Sequence, residues 1–210
     1  MDYVLFGMQG SGKGTQGLIL KKKFNLELFE TGAVLRQLAE EKSPLGKKIK
    51  SIIQIGNLVP NEVVMETIEN FMKHITQGKN VLFDGIPRKK DQAESFNTLM
   101  KRLQRNFKGI YIEISENEAM KRLSSRKMCK VCKTVYMGSF EQNQCEKCGN
   151  ELIKRSDDTP ESIKMRIENY KKETLPVIEN YRHEEKLITI NGEQSVDKVT
   201  EEILNKLENF

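Results

Sequence analysis

Lys13 stands inside a run of glycines, Gly7-Met8-Gln9-Gly10-Ser11-Gly12-Lys13-Gly14-Thr15-Gln16. These residue types in this order suit the holding of a polyphosphate. Phosphate oxygens need backbone N–H groups at close range, and a Cβ would hold them off. Glycine lets the chain approach and adopt φ > 0. A helix starting at the end of the run adds a fixed partial positive charge, and Lys13 adds a full one for the β and γ phosphates. The strict pattern G-x-x-x-x-G-K-[ST] runs from Gly7 to Lys13, but Gly14 takes the hydroxyl position and the hydroxyl follows at Thr15. Gly10, Ser11, Gly12, Lys13, Gly14 and Thr15 are the candidate phosphate contacts. The alternative, a flexible glycine turn, is disfavoured by the apolar run Val4-Leu5-Phe6 before it and the helical pattern with Leu18, Ile19 and Leu20 after it.

A second group follows another apolar run, at Asp84-Gly85-Ile86-Pro87-Arg88. An acid at the end of a buried strand can hold Mg²⁺, directly or through water, and Arg88 can clamp a phosphate bidentately. Taken alone, Asp84 could equally cap a turn. Arg122 and Arg126 are spaced to share one face of an expected helix. There they would repel unless an anion lay between them; a solvated surface pair is the other reading. The cysteines read Cys129-Lys-Val-Cys132, then twelve residues, then Cys145-Glu-Lys-Cys148. Paired C-x-x-C knuckles suit tetrahedral Zn²⁺ held by four thiolates, with no ligand position open for catalysis. A redox dithiol would need a helix N-terminus to lower a thiol pKa, and none is expected there. His74 and His183 sit among charged helical neighbours and read as surface residues.

The elements that must position these groups alternate. Val4–Phe6, residues 80–84, 109–114 and 187–190 read as buried strands, and 26–31 as a short extended stretch. Helices are expected after Thr15 and from Thr31-Gly32. Ser43-Pro44 should open another, Asn61 should cap the next, and Ser115-Glu116-Asn117-Glu118 fits a capping box. A helix with Ala93, Phe96, Leu99, Met100 and Leu103 lies between two strands. A long helix from Thr159-Pro160 to about Tyr181 should bend or break near Pro176, and Ser195 begins a last one with Val196, Val199 and Ile203. Such alternation gives an α/β fold, a parallel sheet covered by helices on both faces. Two stretches fall outside it, 30–59 and 127–158. Both read as insertions able to move as lids.

The chain has 210 residues, enough for one good core and a small module. No apolar run approaches the ~18 residues of a membrane span, and no basic-then-apolar leader opens the chain. A cytoplasmic location with no membrane partner is the expectation. The formal charge of +5 would suit acidic small molecules or nucleic acid, but it comes mostly from 26 lysines against nine arginines, and lysine-rich faces are commonly just solvated.

The loop, with its Gly-x-x-Gly-Ser-Gly-Lys-Gly-Thr-Gln form, resembles the adenylate kinase family and its nucleoside monophosphate kinase relatives. Thr31-Gly32-Ala33-Val34-Leu35-Arg36 is similar to that family's Thr-Gly-Asp-x-x-Arg, and Asp84-Gly85-Ile86-Pro87-Arg88 to its Asp-Gly-Phe-Pro-Arg. The resemblance implies a P-loop NTPase-like core (1–29, 60–126 and 159–210), a helical NMP-binding insertion (30–59) and a zinc-binding lid (127–158), in the long form of the family. It implies Mg·ATP + AMP ⇌ 2 ADP, carried by a monomer. Beyond the loop, ATP would meet Arg126, Val135, Tyr136 and the backbone of Gln194. AMP would meet Thr31, Arg36, Asn57, Leu58, Val59, Gly85, Ile86, Pro87, Arg88 and Gln92, and its phosphate the lid arginines Arg155 and Arg166. Lys13, Asp84, Arg88, Arg122, Arg126, Arg155 and Arg166 would serve the transfer itself. Six of the nine arginines fall on these positions, and arginine is the residue for bidentate phosphate geometry.

The chain departs from the family pattern in places. Gln9 replaces a usual Pro, a change expected to alter turn stiffness and not phosphate chemistry. Ala33 replaces an acid near the hydrated magnesium, leaving Asp84 to orient the ion unless Glu30 fills the gap. Ile86 replaces an aromatic and Asn61 an acid, and the second cysteine pair lies closer to the first than usual. GTP in place of ATP is the nearest rival reading. A zinc-ribbon nucleic-acid binder is the rival of another class. It would want a basic, aromatic-rich ribbon, whereas Lys130, Lys133 and Lys147 stand against Glu141 and Glu146, with only Tyr136 and Phe140.

Overall fold

The computed structural model describes residues 1–136, 140 and 142–208, so the Glu141 charge lies outside the described residues. Five apolar runs become strands β1 (Asp2–Phe6), β2 (Glu27–Glu30), β3 (Val81–Asp84), β4 (Phe107–Glu113) and β8 (Leu187–Asn191), in the spatial order β2-β3-β1-β4-β8. All neighbours are parallel, with Val4 opposite both Phe83 and Gly109. The extended stretch near residue 28 is thus a full edge strand. Parallel pairing needs crossover connections, and helices supply them. Side chains alternate along each strand. Val4, Phe6, Val81 and Phe83 face one core, where Leu35 of α2 (Thr31–Ala39), Ile68 of α4 (Asn61–His74), Phe96 of α5 (Lys90–Arg102) and Ile178 of α8 (Leu175–His183) cover them. Leu5, Leu82, Ile110 and Ile188 face the other, against Leu20 of α1 (Lys13–Phe24) and Val199 and Ile203 of α9 (Val196–Glu208). Both faces are covered, as the alternation requires.

Several helix starts follow the expected chemistry. Gly46 N donates to Ser43 Oγ at 3.0 Å ahead of Pro44, the first residue of α3 (Pro44–Gln54). Ser162 N donates to Thr159 Oγ1 at 3.2 Å at the head of α7 (Pro160–Asn169). Others differ. Asn61 is already helical and Pro60 holds the cap position, so the Asn61 side chain instead donates to Ser95 Oγ at 3.0 Å. At the head of α6 (Glu116–Ser125), Ser115 Oγ accepts from Glu118 N, but Glu118 binds Arg122 rather than completing a capping box. Leu18, Leu103 and Val196 are exposed. In α1 the buried stripe is Gln16, Gly17 and Leu20, because Gln16 bonds Val196 O and Thr200 of α9. The long helix is interrupted before Pro176. Residues Tyr170–Thr174 form a π turn, in which Leu175 N bonds Tyr170 O, and α8 starts after it. Proline removes one ladder hydrogen bond, and a π turn shifts the register beside it.

A separate antiparallel sheet, in the order β6-β5-β7, is built from β5 (Lys127–Cys129), β6 (Val135–Tyr136) and β7 (Leu152–Ile153). Its core is Cys129, Tyr136, Cys145 and Leu152, with Phe140 against them. So small a sheet buries too little to stand by the hydrophobic effect alone.

One buried ion pair ties the start of β1 to the far turns. Asp2 is 1% exposed; its carboxylate accepts Val81 N at 2.8 Å and both Nε and Nη2 of Arg105 at 2.6 Å. The Arg105 guanidinium also reaches Lys79 O. Removing the carboxylate strands a backbone N–H and a largely buried cation. Asp2→Ala should lower stability by about 3 kcal/mol, at the low end for a broken buried pair because Arg105 can still reach water. A urea titration checks this; a loss below about 1 kcal/mol would put the pair in the class of surface salt bridges.

Candidate active site

The chemistry gathers beyond the C-terminal ends of β1, β2 and β3, where open parallel sheets bind ligands. β1 ends at Phe6, and Gly7 turns the chain at φ +148°; a Cβ there would lie 2.5 Å from Ile112 O. Gly12 caps α1 in the left-handed region. Lys13 Nζ donates to Gly7 O at 2.7 Å and Met8 O at 2.9 Å. Those two carbonyls hold the ammonium at the centre of the loop and leave its third hydrogen, with Ser11 Oγ only at 3.5 Å. Burial pulls the Lys13 pKa down to about 8; Asp84 opposes the shift, and Arg88 and Arg126 add to it.

Across from Lys13, the turn after β3 presents Arg88. Gly85 has φ +84°, and a Cβ would fall 2.6 Å from Arg88 Nη2. Without it, Arg88 Nε donates to Gly85 O at 2.8 Å. The Arg88 backbone is clamped on both sides, its N–H by Gln92 Oε1 at 2.9 Å and its carbonyl by Thr174 Oγ1 at 3.0 Å. Thr174 comes from the π turn; Pro176 was the only sequence sign of that irregularity. Gly7, Gln9, Lys13, Gly85, Ile86, Pro87, Arg88, Tyr170 and Thr174 line a single pocket. The Ile86–Pro87 peptide in its wall is cis.

Three further arginines lie within electrostatic reach of Lys13 or Arg88. Arg126 Nη2 bonds Asp158 Oδ1 at 2.7 Å, Arg166 bonds both Asp157 and Asp158, and Arg155 bonds Asp157. All five side chains are at least 87% buried. Burial favours the neutral form of Asp157, but Arg155 and Arg166 outweigh it and hold its pKa well below the usual carboxylate range. Arg36 joins the group from α2. Burial and Arg155 lower its pKa to about 10, Asp157 opposes, and Arg126 and Arg166 add to the fall. Arg122 and Arg126 do not share a face of one helix. Arg126 lies beyond the end of α6 in extended conformation, and each arginine has its own carboxylate. Arg122 instead joins two loops, bonding Glu118 Oε1 at 2.7 Å, Gly10 O at 3.3 Å and Gly192 O at 3.0 Å.

Carboxylates lie at the strand ends too. Glu30 and Asp84 are direct partners in the β2–β3 register, and Glu30 Oε1 lies 3.6 Å from where a Cβ on Gly14 would be. Burial raises the pKa of Asp84 against the pull of Lys13, Arg88 and Arg36. Burial and then Asp84 raise that of Glu30. On the α2 side, Thr31 is buried and its Oγ1 has no hydrogen-bond partner among the described residues. Val59 is buried, and Asn57 and Gly56 meet Asn169 of α7, which brings the 30–59 segment against the helix carrying Arg166. Gln194 is fixed by its side chain, which donates to Asn191 O at 3.1 Å and Glu202 Oε2 at 2.6 Å.

The four cysteine sulfurs lie within 4.8 Å of one another, a group able to hold a metal ion. The pairs Cys129–Cys148 and Cys132–Cys145 stand at 3.5 and 3.4 Å, beyond a disulfide bond. Thr134 favours the thiolate of Cys132, bringing its pKa down to about 6, and the Asn150 backbone and side chain lower that of Cys148. Burial acts the other way on Cys129 and raises its pKa to about 11, so only Cys132 and Cys148 lean toward the thiolate form in which cysteine binds Zn²⁺. The Tyr136 side chain belongs to this cluster, its hydroxyl 3.2 Å from Cys145 Sγ and accepting Glu146 N at 3.0 Å. Any nucleotide contact at this residue is left to its backbone and to the exposed Val135. His74 and His183 are exposed, away from the pocket.

The family model described as adenylate kinase matches residues 5–186. The chain is 37% identical to an adenylate kinase of Petrotoga mobilis over 100% of this chain and 99% of that protein. It is 37% identical to one of Chlamydia pneumoniae over 96% and 95%, and 35% identical to one of Methanocella arvoryzae over 97% and 96%.

Lys13 meets phosphate only while charged. With its pKa near 8 in the free protein, it loses its proton as pH rises through that value. Affinity for a nucleoside triphosphate should therefore fall above pH 8, by up to about tenfold per pH unit until the lysine is raised by bound phosphate. Calorimetric titrations between pH 7 and 10 check this. The Lys13→Arg variant, whose guanidinium does not titrate there, should show no such limb.

Proposed function

The chain belongs to the adenylate kinase family, and from that membership we propose how its own residues transfer the terminal phosphoryl group of ATP to AMP, giving two ADP. The observation that carries the reading is the single pocket shared by the glycine loop with Lys13 and the turn with Arg88. A donor polyphosphate on one wall and an acceptor phosphate on the other face each other with no protein nucleophile between them. Transfer is then in-line and direct, and catalysis is positioning plus charge stabilisation.

Loop N–H groups and Lys13 take the donor's β and γ phosphates, with Arg126 beside them. Arg88, Arg36, Arg155 and Arg166 take the acceptor phosphate. Arg122 holds the 10 and 192 loops together and so places Gln194, whose backbone borders the donor base. Thr31 Oγ1, buried without a partner, is ready for a polar edge of the acceptor base, with Gln92 and the backbone of 57–59 beside it. Closure of the 127–158 lid and the 30–59 insertion over the 1–29, 60–126 and 159–210 core keeps water from the phosphoryl group.

Adenylate kinases use Mg²⁺ with ATP. Two neighbouring carboxylates whose pKa values are raised fit a dication, so Asp84 and Glu30 would hold it, directly or through water, and Glu30 fills the place left by Ala33. When bound, the ion neutralises phosphate charge. The four thiolates fit Zn²⁺, which would be structural, since all four positions are taken. Among the described residues no helix is long and apolar enough to cross a membrane. We assign the chain to the cytoplasm as a monomer acting on nucleotides, with neither nucleic acid nor membrane as partner.

A coupled assay of ADP formation tests the reaction. ATP with AMP should give at least about tenfold higher kcat/KM than ATP with UMP or CMP, and GTP in place of ATP measures donor choice. Equal values for UMP would overturn the acceptor assignment. For the metal, elemental analysis of anaerobically purified protein should find about one Zn²⁺ per chain. Chelation should lower the melting temperature while leaving room-temperature activity largely intact. A metal-free protein of unchanged stability would remove zinc from the lid.

A further inference from the structure

Gln9 is the third residue of the glycine loop, and its side chain was expected to matter only for turn stiffness. It lines the same pocket as Lys13 and Arg88. Its Oε1 is buried with no hydrogen-bond partner among the described residues. The bonds shown by the neighbouring polar groups go to other partners. Lys13 is held by Gly7 O and Met8 O, Arg88 by Gly85 O and Gln92, and Thr174 by the Arg88 carbonyl. A buried amide oxygen left unpaired costs free energy, and native proteins rarely carry one without use. Arg88, whose Nε is spent on Gly85 O, lines the same pocket as this unpaired acceptor.

We propose that Gln9 is a further catalytic residue, whose amide touches the phosphoryl group in transit between the glycine loop and Arg88. The inference rests on the phosphoryl-transfer reading above. An amide offers one donor end and one acceptor end. Phosphoryl oxygens at neutral pH only accept, so Nε2 donates to a non-bridging oxygen of the moving group. Oε1 takes a hydrogen from the Arg88 guanidinium, which fixes the amide and links it to the cation on the acceptor side. In the reaction the bond from the γ phosphorus to the bridging oxygen of ADP breaks, and a bond from that phosphorus to an AMP phosphate oxygen forms. Gln9 gains and loses no proton. As charge spreads over the equatorial oxygens in the transition state, a donor placed on them contributes more there than in the ground state.

Single-turnover quench-flow with ATP and AMP separates this step from product release. Gln9→Ala should slow phosphoryl transfer about tenfold, with nucleotide dissociation constants changed less than about twofold. Gln9→Glu keeps the size but sets a carboxylate against phosphate. It should be about a hundredfold slower than wild type at pH 8 and regain rate relative to Gln9→Ala as pH falls, since only the protonated acid donates. Should Gln9→Ala transfer within about twofold of wild type, or Gln9→Glu match Gln9→Ala at every pH, Gln9 has no catalytic part. Melting temperatures of both variants, expected within a few degrees of wild type, separate this from a folding defect; a variant rescued to full rate by cooling alone also counts against the proposal. Wild-type protein making no ADP would fault the reaction assignment instead, so the two failures are distinct.

Discussion

Positive charge drawn out of water is the constraint on which the site depends. Lys13, Arg36, Arg88, Arg126, Arg155 and Arg166 converge at the end of the sheet, and burial first, with the neighbouring cations adding to it, pulls the pKa of Lys13 to about 8 and that of Arg36 to about 10. Such crowding is costly unless opposite charge is close. Asp157 and Asp158 provide it for three of the arginines, and Asp84 opposes the shifts of Lys13 and Arg88. The carboxylates hold the guanidiniums in fixed orientation and neutralise only part of the positive charge gathered there. Electrostatic preorganisation of this kind costs no rearrangement when charge moves.

The scaffold meets that demand through strand ends. A parallel sheet brings the ends of β1, β2 and β3 to one edge, and each ends in a functional group: the glycine loop, Glu30 and Asp84. Behind them, aromatic rings make a continuous stiff layer. Phe71, Phe29, Phe83, Phe96, Phe107, Tyr181 and Phe6 follow one another with centroids 5.1 to 6.2 Å apart. Packing of this kind fixes backbone positions, and Arg88 is held by both carbonyl and amide in front of it.

The cysteine sheet answers a different need. It carries Arg126 at one end and leads into Arg155, Asp157 and Asp158 at the other, yet its own core is four residues and one ring. Its four cysteine sulfurs form a group able to hold a metal ion, a tie that so few apolar groups do not provide by themselves.

Much was legible from residue order alone. Glycine spacing around Lys13, the Asp84–Arg88 turn and the paired cysteine knuckles are local patterns whose chemistry requires those residues at those intervals, and period-two and helical patterns placed the strands and most helices. Tertiary structure decided the rest, because the deciding partners are far apart in sequence. Arg122 and Arg126 looked like a pair but each answers to its own carboxylate, Glu118 and Asp158. Asn61 is no cap, since Pro60 takes that place and Ser95 takes its side chain. The π turn that delivers Thr174 to the Arg88 carbonyl, Glu30 lying beside Asp84, and Gln9 in the pocket wall all depend on which elements the sheet order makes neighbours. Local pattern states which groups are available; only packing determines which of them share a dielectric and a distance.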